Sequence, residues 1–181
     1  MKTDLSKYTN SLYNPGSLVK RILWVFINGF FFKSSWNLSS RIKLFWLRVF
    51  GAQLGSGIVI KTNVNIKYPW KLEIGNHCWI GEEVWIDNLD NVKISDNVCI
   101  SQGAMLLCGN HDYSKSGFDL MLGPITIEEG AWIGAKAVVC PRVNVMSHAV
   151  LCVGSVATKN LDPFSIYQGN PAIKIKDRII S

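Results

Sequence analysis

The hydrophobic positions of this chain repeat at a fixed interval of six residues from position 54 onward. Two steps of eight and one step of 21 interrupt the interval, and a small or aliphatic residue often lies four positions after each repeat position. This period fits neither an amphipathic helix nor a simple strand, but it is typical of short strands joined by tight turns. Fourteen of the fifteen repeat positions are Ile, Leu or Val and one is Ala: Leu54, Ile60, Ile66, Ile74, Ile80, Ile86, Ile94, Ile100, Leu106, Ile127, Ile133, Val139, Val145, Leu151 and Ala157.

Strands this short predict a mostly β fold in which the chain winds into stacked coils. A strand of a few residues cannot bury its apolar face alone, so each coil must rest on the next. The pattern assigns residues 51–162 to this repeat domain. The alternative is an ordinary β-sandwich whose spacing matches the period by chance.

The interruptions of the period predict loops, which repeat folds often place at the binding face. Two short insertions fall near residues 68–71 and 88–91, and a long one spans residues 109–124. The long loop carries His, Asp and Tyr at its root, where a coil still fixes the backbone. Residues 163–181 are predicted to form a short cap or a final helix over the open end of the coils.

The first 50 residues differ from the rest in charge and aromatic content. The chain carries +6 in total; residues 1–50 hold eight Lys or Arg and one acid, whereas the remainder holds eleven basic and twelve acidic residues. Two helices are predicted, over 17–33 and 38–50. In the second, Leu38, Ile42, Phe45 and Val49 share one face. This arm either packs on the body and caps its first coil, or touches an anionic membrane surface.

Composition excludes several classes of protein. With 48% hydrophobic and only 18% charged residues, the chain is not disordered. The body has no basic stripe, which argues against a nucleic-acid partner. The apolar run over 22–32 is too short for a spanning helix, and no signal-peptide pattern is seen. We therefore expect a cytoplasmic protein, and the arm leaves open a peripheral position at the inner face of the membrane. Five Cys without a C-x-x-C pair favour buried thiols over disulfides or structural zinc.

One of the three histidines stands out as a candidate general base. His77 and His148 fall at repeat positions that usually point outward, whereas His111 begins the long loop. An imidazole there can take a proton from a hydroxyl near neutral pH. Metal-assisted hydration is the competing chemistry, but a catalytic zinc needs three protein ligands. No second His follows within residues 112–116, so no metal is expected.

An ordered set of motifs resembles the colanic-acid-type exopolysaccharide acetyltransferases, relatives of the galactoside, maltose and nodulation acetyltransferases. The resemblance implies a left-handed parallel β-helix of hexapeptide repeats, acetyl-CoA as co-substrate, and a homotrimer with sites at subunit interfaces. The motifs are FGA (50–52), YPWKLEIG (68–75), VWIDN (84–88), NHDY (110–113), AWIG (131–134), GSV (154–156) and GNPA (169–172).

The resemblance also implies roles for single residues. It makes His111 the catalytic base and Trp132 an aromatic wall of the acyl-CoA tunnel. Gly134 is expected to contact the cofactor beside Trp132. Further along, the residues implied to contact it are Val153, Gly154 and Ser155 with Thr158 and Lys159 at pantetheine, and Asn170, Pro171 and Lys174 near adenine. Candidates for acceptor contacts are Asp87, Asn88, Asp112 and Tyr113. The chain departs from the family pattern at Ser95, Cys108 and Arg142, and Cys108 lies close enough to His111 to affect acceptor contacts.

The expected reaction is direct acetyl transfer to a sugar hydroxyl, on a free or lipid-linked acceptor. The backbone N–H near Gly134 is a candidate oxyanion donor. A base of this kind needs its second ring nitrogen held by an acceptor, and the sequence leaves open whether a backbone carbonyl or a carboxylate does this. Two alternatives remain open: N-acylation of an amino sugar, and a non-catalytic β-helix scaffold subunit.

Overall fold

The computed structural model describes residues 2–11 and 13–181. The repeat region winds into coils of three short strands each, so that every third strand stacks on its counterpart in the next coil. The result is a parallel β-helix with three flat sheets, and the predicted mostly β repeat fold is confirmed.

Each sheet of the β-helix is parallel, because its strands occupy the same place in successive coils and therefore run in the same direction. The first sheet contains β1 (Gln53–Leu54), β4 (Leu72–Ile74), β7 (Val92–Ile94), β12 (Ile125–Ile127) and β15 (Asn144–Val145). The second contains β2 (Val59–Ile60), β5 (Trp79–Ile80), β8 (Cys99–Ile100), β13 (Trp132–Ile133) and β16 (Val150–Leu151). The third contains β3 (Asn65–Ile66), β6 (Trp85–Asp87), β9 (Met105–Leu107), β14 (Val138–Val139) and β17 (Val156–Ala157).

The core of the β-helix is a stack of aliphatic side chains. Of the fifteen repeat positions, all except the half-buried Leu54 are no more than 1% exposed. The small residues four positions later are buried as well, because they fill the corners where the chain turns. The sequence period therefore identified the inward-facing positions of every coil.

Two of the three histidines lie at these corners. His77 and His148 both have positive φ, 56° and 57°. Each ring lies over a glycine of the preceding coil, and a Cβ at Gly57 or Gly130 would come 2.4 or 2.1 Å from a ring nitrogen. His77 is exposed and His148 is half-buried against Phe164. Both are turn residues, as their outward repeat position predicts.

The N-terminal arm forms helices that cap the first coil. Helix α1 (Leu18–Ile27) continues into a π-helical turn (Asn28–Phe32), and α2 (Ser40–Val49) follows. The Trp24 indole donates to the Ile66 carbonyl at 2.7 Å, and the Ile60 N–H donates to Ser40 Oγ at 3.0 Å. These bonds satisfy backbone groups of an otherwise open edge. The arm therefore packs on the body, which is one of the two possibilities that the sequence leaves open.

The side of α2 that packs is not the side that the hydrophobic pattern indicates. Lys43 and Leu47 are buried against the first coil, and the Lys43 ammonium donates to the Lys61 carbonyl at 2.5 Å. The apolar stripe of Leu38, Ile42, Phe45 and Val49 instead faces outward. None of the helices described within residues 2–11 and 13–181 is long and apolar enough to cross a bilayer.

The long insertion is a hairpin rather than an irregular loop. Its strands are β10 (Gly109–His111) and β11 (Leu120–Leu122), paired antiparallel. Residues 4–9, which contain a 3₁₀ turn over Leu5–Lys7, lie along this hairpin. The Asp4 N–H donates to the Ser116 carbonyl at 2.8 Å, and the Leu120 N–H donates to the Thr9 carbonyl at 3.4 Å. The first residues of the arm therefore belong to the surroundings of the insertion.

The C-terminal cap is a β-hairpin, so its interpretation as a final helix is wrong. Strand β18 (Ser165–Gly169) adds to β16 in parallel, and β19 (Ala172–Asp177) turns back against β18. A hairpin suits this position because it pairs the last strand of the second sheet on both of its edges.

Candidate active site

His111 ends strand β10 and is held in one orientation by the hairpin. Its Nδ1 lies 2.9 Å from the Phe118 carbonyl oxygen, and the Phe118 ring stacks on the imidazole with centroids 4.5 Å apart. A carbonyl can only accept a hydrogen bond, so Nδ1 carries the proton and Nε2 keeps a free lone pair. The orienting group is thus a backbone carbonyl, one of the two possibilities that the sequence leaves open.

Phe118 and Tyr8 are site residues that sequence reasoning missed. The Tyr8 ring lies 5.9 Å from the His111 ring, contributed by the segment that runs along the hairpin. No motif marks either residue, since Tyr8 is far away in sequence and Phe118 falls inside the insertion. Only the pairing of the hairpin and its contact with the N-terminal segment reveal them.

The two acceptor candidates that follow His111 differ in their availability. Asp112 Oδ1 accepts hydrogen bonds from the Ser114 hydroxyl at 2.5 Å and the Ser114 N–H at 3.1 Å, which hold the pKa of this carboxyl below its usual range. Asp112 is therefore engaged in a turn of the hairpin. Tyr113 is 84% exposed and free to contact a second molecule.

Asn88 cannot contact an acceptor, so its assignment as a substrate-binding residue is wrong. The side chain is fully buried, its Oδ1 accepts from the Tyr68 N–H at 2.9 Å, and its Nδ2 donates to the Tyr68 carbonyl at 2.6 Å. It ties two short insertions together. The neighbouring Asp87 stays half-buried, and its Oδ1 lies 2.9 Å from Lys67 Nζ.

Cys108 lies directly before the inserted hairpin and is fully buried. Burial raises the pKa of its thiol to about 12. A thiol of that pKa stays protonated near neutral pH, so it does not act as a nucleophile. The residue packs in the core as a small hydrophobic side chain.

Trp132 presents its ring on an open face of the β-helix. The side chain is 46% exposed, and its Nε1 donates to Ser101 Oγ, one coil away, at 2.9 Å. Ser101 is a further residue that the sequence does not point to, because the long insertion separates the two positions by 31 residues. The hydrogen bond fixes an exposed aromatic surface that a ligand or a neighbouring chain can cover.

The Gly134 amide is not free to stabilise an oxyanion. Its N–H donates to the Leu151 carbonyl of the next coil at 2.7 Å, and a Cβ at this position would come 2.6 Å from the Val153 nitrogen. The glycine is there because two coils approach closely. The expectation of an oxyanion donor at Gly134 is wrong.

The predicted cofactor edge is only partly accessible. Val153, Gly154, Thr158 and Lys159 are exposed. Ser155 is buried, and its Oγ accepts the Gly169 N–H at 3.0 Å. Its side chain therefore holds the terminal hairpin to the coil and cannot contact pantetheine, which corrects its assignment.

The last predicted cofactor residues lie on the terminal hairpin. Asn170 and Pro171 form its exposed turn between β18 and β19. Lys174 lies on β19, and its Nζ contacts Asp177 at 2.8 Å, a hydrogen bond that raises the pKa of the lysine. A phosphate group at this position would compete with the Asp177 carboxylate for the ammonium.

The site contains an imidazole that can act as a base. Among the residues that the structure describes, no group of side chains is placed to bind a metal ion. Across residues 2–11 and 13–181, no three His, Cys, Asp or Glu side chains converge. A cavity of about 340 Å³ beside the hairpin is lined by residues that include Thr9, Lys115 and Arg142, and it contains neither His111 nor Trp132. Trp132 instead lies on exposed surface, and His111 is half-buried against the Phe118 ring.

The chain has coils of period six, wound into a parallel β-helix, and a histidine on an inserted hairpin. These features define the class of hexapeptide-repeat proteins. No protein-family model matches the chain. The colanic acid biosynthesis acetyltransferase WcaF of Escherichia coli (strain K12) is 33% identical over 167 residues, which cover 92% of each chain. The galactoside O-acetyltransferase of the same organism is 28% identical over 130 residues, 70% of this chain and 64% of that protein.

A solved structure agrees with the fold. The hexapeptide-repeat acetyltransferase VCA0836 of Vibrio cholerae, complexed with acetyl coenzyme A, has a TM-score of 0.81 at 19% identity, over 92% of this chain and 93% of that chain. The match to WcaF along almost the whole of both chains shows that this chain belongs to the colanic-acid-type family of hexapeptide-repeat acetyltransferases. It is an acyltransferase.

Proposed function

We propose that this enzyme transfers an acetyl group from acetyl-CoA to a sugar hydroxyl during surface polysaccharide biosynthesis. The observation that carries the proposal is the hydrogen bond between His111 Nδ1 and the Phe118 carbonyl, because it leaves Nε2 free to act as a base. The family relationship supplies the chemistry, since WcaF and the galactoside enzyme are both named as acetyltransferases.

Acetyl-CoA is the acyl donor, and its binding surface lies along the exposed side of the coils. Trp132 offers an aromatic wall. The exposed residues Val153, Gly154, Thr158 and Lys159 offer an edge for pantetheine, and the terminal turn with Asn170, Pro171 and Lys174 lies beyond it. A related structure that carries acetyl-CoA on the same fold supports this choice of donor.

The reaction proceeds by direct transfer between two bound substrates. Nε2 of His111 accepts the proton of the sugar hydroxyl while the hydroxyl oxygen bonds to the thioester carbonyl carbon. The C–S bond then breaks, and the imidazolium returns the proton to the departing thiolate. No atom of the enzyme is acylated, so alignment of the two substrates provides much of the acceleration. Of the acceptor-side candidates, Tyr113 is exposed, whereas Asp87 is half-buried and paired with Lys67.

The complete site lies between subunits of a homotrimer. Trp132 is exposed, His111 is half-buried, and the sheet faces carry further exposed apolar side chains at Trp79, Trp85 and Met105. A neighbouring copy that covers these faces would close the site and exclude water. Light scattering of the purified protein tests the trimer, and a monomeric mass at micromolar concentration would contradict it.

The test of the base compares two histidines in otherwise intact protein. His111→Asn is expected to lower kcat/KM for acetyl transfer at least about 100-fold, because a general base contributes about that much or more. His77→Asn, at an exposed corner whose positive φ suits Asn, is expected to leave kcat/KM unchanged. A loss of less than tenfold in the His111 variant, with normal folding, would remove His111 as the base. Alkali-labile product identifies an O-ester, and alkali-stable product an amide.

A further inference from the structure

The helical arm leaves a wide apolar surface uncovered, which we name the arm surface. Every one of its side chains is at least 41% exposed. Contiguous apolar patches of this extent are uncommon on soluble monomers and mark interaction sites. The arm surface consists of Leu18, Val19, Ile22, Leu23, Val25, Phe26, Phe30, Trp36, Leu38, Ile42, Phe45 and Val49.

Ring contacts join the two helices into one surface. Phe30 at the end of the first helical segment contacts Trp36, with centroids 5.0 Å apart. Phe31 contacts Trp46 at 5.7 Å, and Trp46 contacts Phe45 at 5.3 Å. The apolar stripe of α1 therefore continues without a gap into that of α2.

The arm turns several polar side chains toward the body, beside the buried Trp24, Phe32 and Leu47, and leaves many of its apolar side chains exposed. A surface helix normally turns its apolar stripe to the core and its charges to solvent. Here Asn28, Ser40 and Lys43 face the body and bond to its first coil. The apolar stripe faces away, so the outward side of both helices is built for an apolar environment.

The charge of the arm surface indicates what that environment is. No Asp or Glu occurs between residues 5 and 72. Lys33, Arg41 and Arg48 are exposed and alternate with the apolar residues of the surface. The ten basic residues of this stretch are Lys7, Lys20, Arg21, Lys33, Arg41, Lys43, Arg48, Lys61, Lys67 and Lys71. Aromatic and aliphatic side chains bordered by Lys and Arg are typical of helices that lie in the interface of an anionic bilayer.

We propose that the arm surface rests on an anionic lipid bilayer. The apolar side chains enter the headgroup region, and Lys33, Arg41 and Arg48 meet lipid phosphates. A two-fold contact with a second copy of this chain fits the surface less well, because it would bring the same cations of both chains together. Because α1 and α2 are hydrogen-bonded to the first coil, the β-helix docks with its first coil nearest the lipid.

Vesicle co-sedimentation of the full chain tests this proposal independently of acyl transfer. The probes are vesicles of phosphatidylcholine alone and of phosphatidylcholine mixed with phosphatidylglycerol. The protein is expected to pellet at least about tenfold more with the anionic vesicles, and added salt is expected to reduce the binding. Phe30→Ser with Phe45→Ser, and separately Lys33→Glu with Arg41→Glu, are each expected to reduce binding at least about tenfold.

Matched substitutions outside the arm control for exposure and charge. Ile179→Ser removes an apolar side chain that is 92% exposed, and Lys136→Glu reverses an exposed charge on the coils. Both are expected to bind vesicles as the natural protein does, and a thermal melt confirms the folding of every variant. The proposal is overturned if the protein ignores anionic vesicles, or if the arm variants bind as well as the controls. It is also overturned if the arm substitutions abolish self-association while vesicle binding is absent, because the arm surface would then be a protein interface.

Discussion

The coils and the arm use the same kind of apolar spacing for opposite purposes. In the coils, the aliphatic residue of each repeat points into the stack, and nearly all these positions are sealed from water. In α2 and just before it, Leu38, Ile42, Phe45 and Val49 follow an equally regular helical spacing, yet they are exposed. Periodicity establishes which residues share a face, whereas the surroundings of the element decide whether that face is inside.

The two elements differ because the coils must cover an apolar face, whereas the arm must also supply hydrogen bonds to unpaired backbone groups. A coil stacks on a copy of itself, so its apolar face is always covered by the next coil. The arm meets the unpaired edge of the first coil, where the Ile60 and Ile66 carbonyls and the Ile60 N–H need partners. Only side chains with a hydrogen-bonding group can supply these bonds, so Trp24 and Ser40 lie on the inner side of the helices, next to apolar residues such as Leu47.

The largest expected effect is a loss of unfolding free energy when a buried isoleucine is truncated, compared with the truncation of an exposed one. Ile80→Ala, in the second coil, removes a fully buried side chain and is expected to lower the free energy of unfolding by about 2–5 kcal/mol. Ile22→Ala, on the arm surface, is expected to change it by less than about 0.5 kcal/mol. Urea denaturation followed by circular dichroism measures both. Equal losses would mean that the arm surface is covered by protein in solution.

A smaller effect is expected from the contact between the arm and the coil. Trp24→Phe leaves the buried Ile66 carbonyl without its indole donor, which is expected to cost about 1–3 kcal/mol of unfolding free energy. Trp36→Phe, in an exposed position, serves as the control and is expected to cost almost nothing. If the two variants unfold alike, the indole hydrogen bond does not hold the arm to the coil.

The smallest effect is a pH dependence that comes from Lys43. Burial lowers the pKa of its ammonium below the usual 10.5. Between the lowered and the usual pKa, the unfolded chain binds more protons than the folded chain, so this group makes stability rise with pH up to about 10.5. In Lys43→Met this contribution is absent, so the natural protein is expected to gain stability relative to the variant as pH rises through that window. A stability difference between the natural protein and Lys43→Met that does not change with pH would refute the role of burial.

The sequence predicts the β-helix well because the period depends only on local spacing and stacking. Each coil repeats the same inward position, so no knowledge of distant contacts is needed. The site is harder to predict, as Asn88, Gly134 and Ser155 show. Each occupies a plausible motif position, yet neighbouring coils bury its side chain or engage its amide. Such contacts link residues about one coil apart, and residue types alone do not reveal which polar groups are already paired.

His111 illustrates both sides of this difference. Its residue type and its place at the root of the insertion identify it from the sequence. The carbonyl that orients it belongs to Phe118, on the other side of the hairpin turn. Hairpin register depends on strand pairing that spans the whole insertion, and backbone carbonyls carry no mark in the sequence.

The segment that precedes α1 adds a connection that a simple stack of repeats lacks. It is bound to the insertion through Asp4 and Ser116, and further along Tyr13 lies against Tyr68 near the first coil. In linear repeat proteins each unit contacts only its neighbours, so end units can fray separately. Here one stretch of chain bridges coils that do not touch each other. Hydrogen exchange in the first and middle coils is therefore expected to be coupled, so that the coils open together as one folding unit.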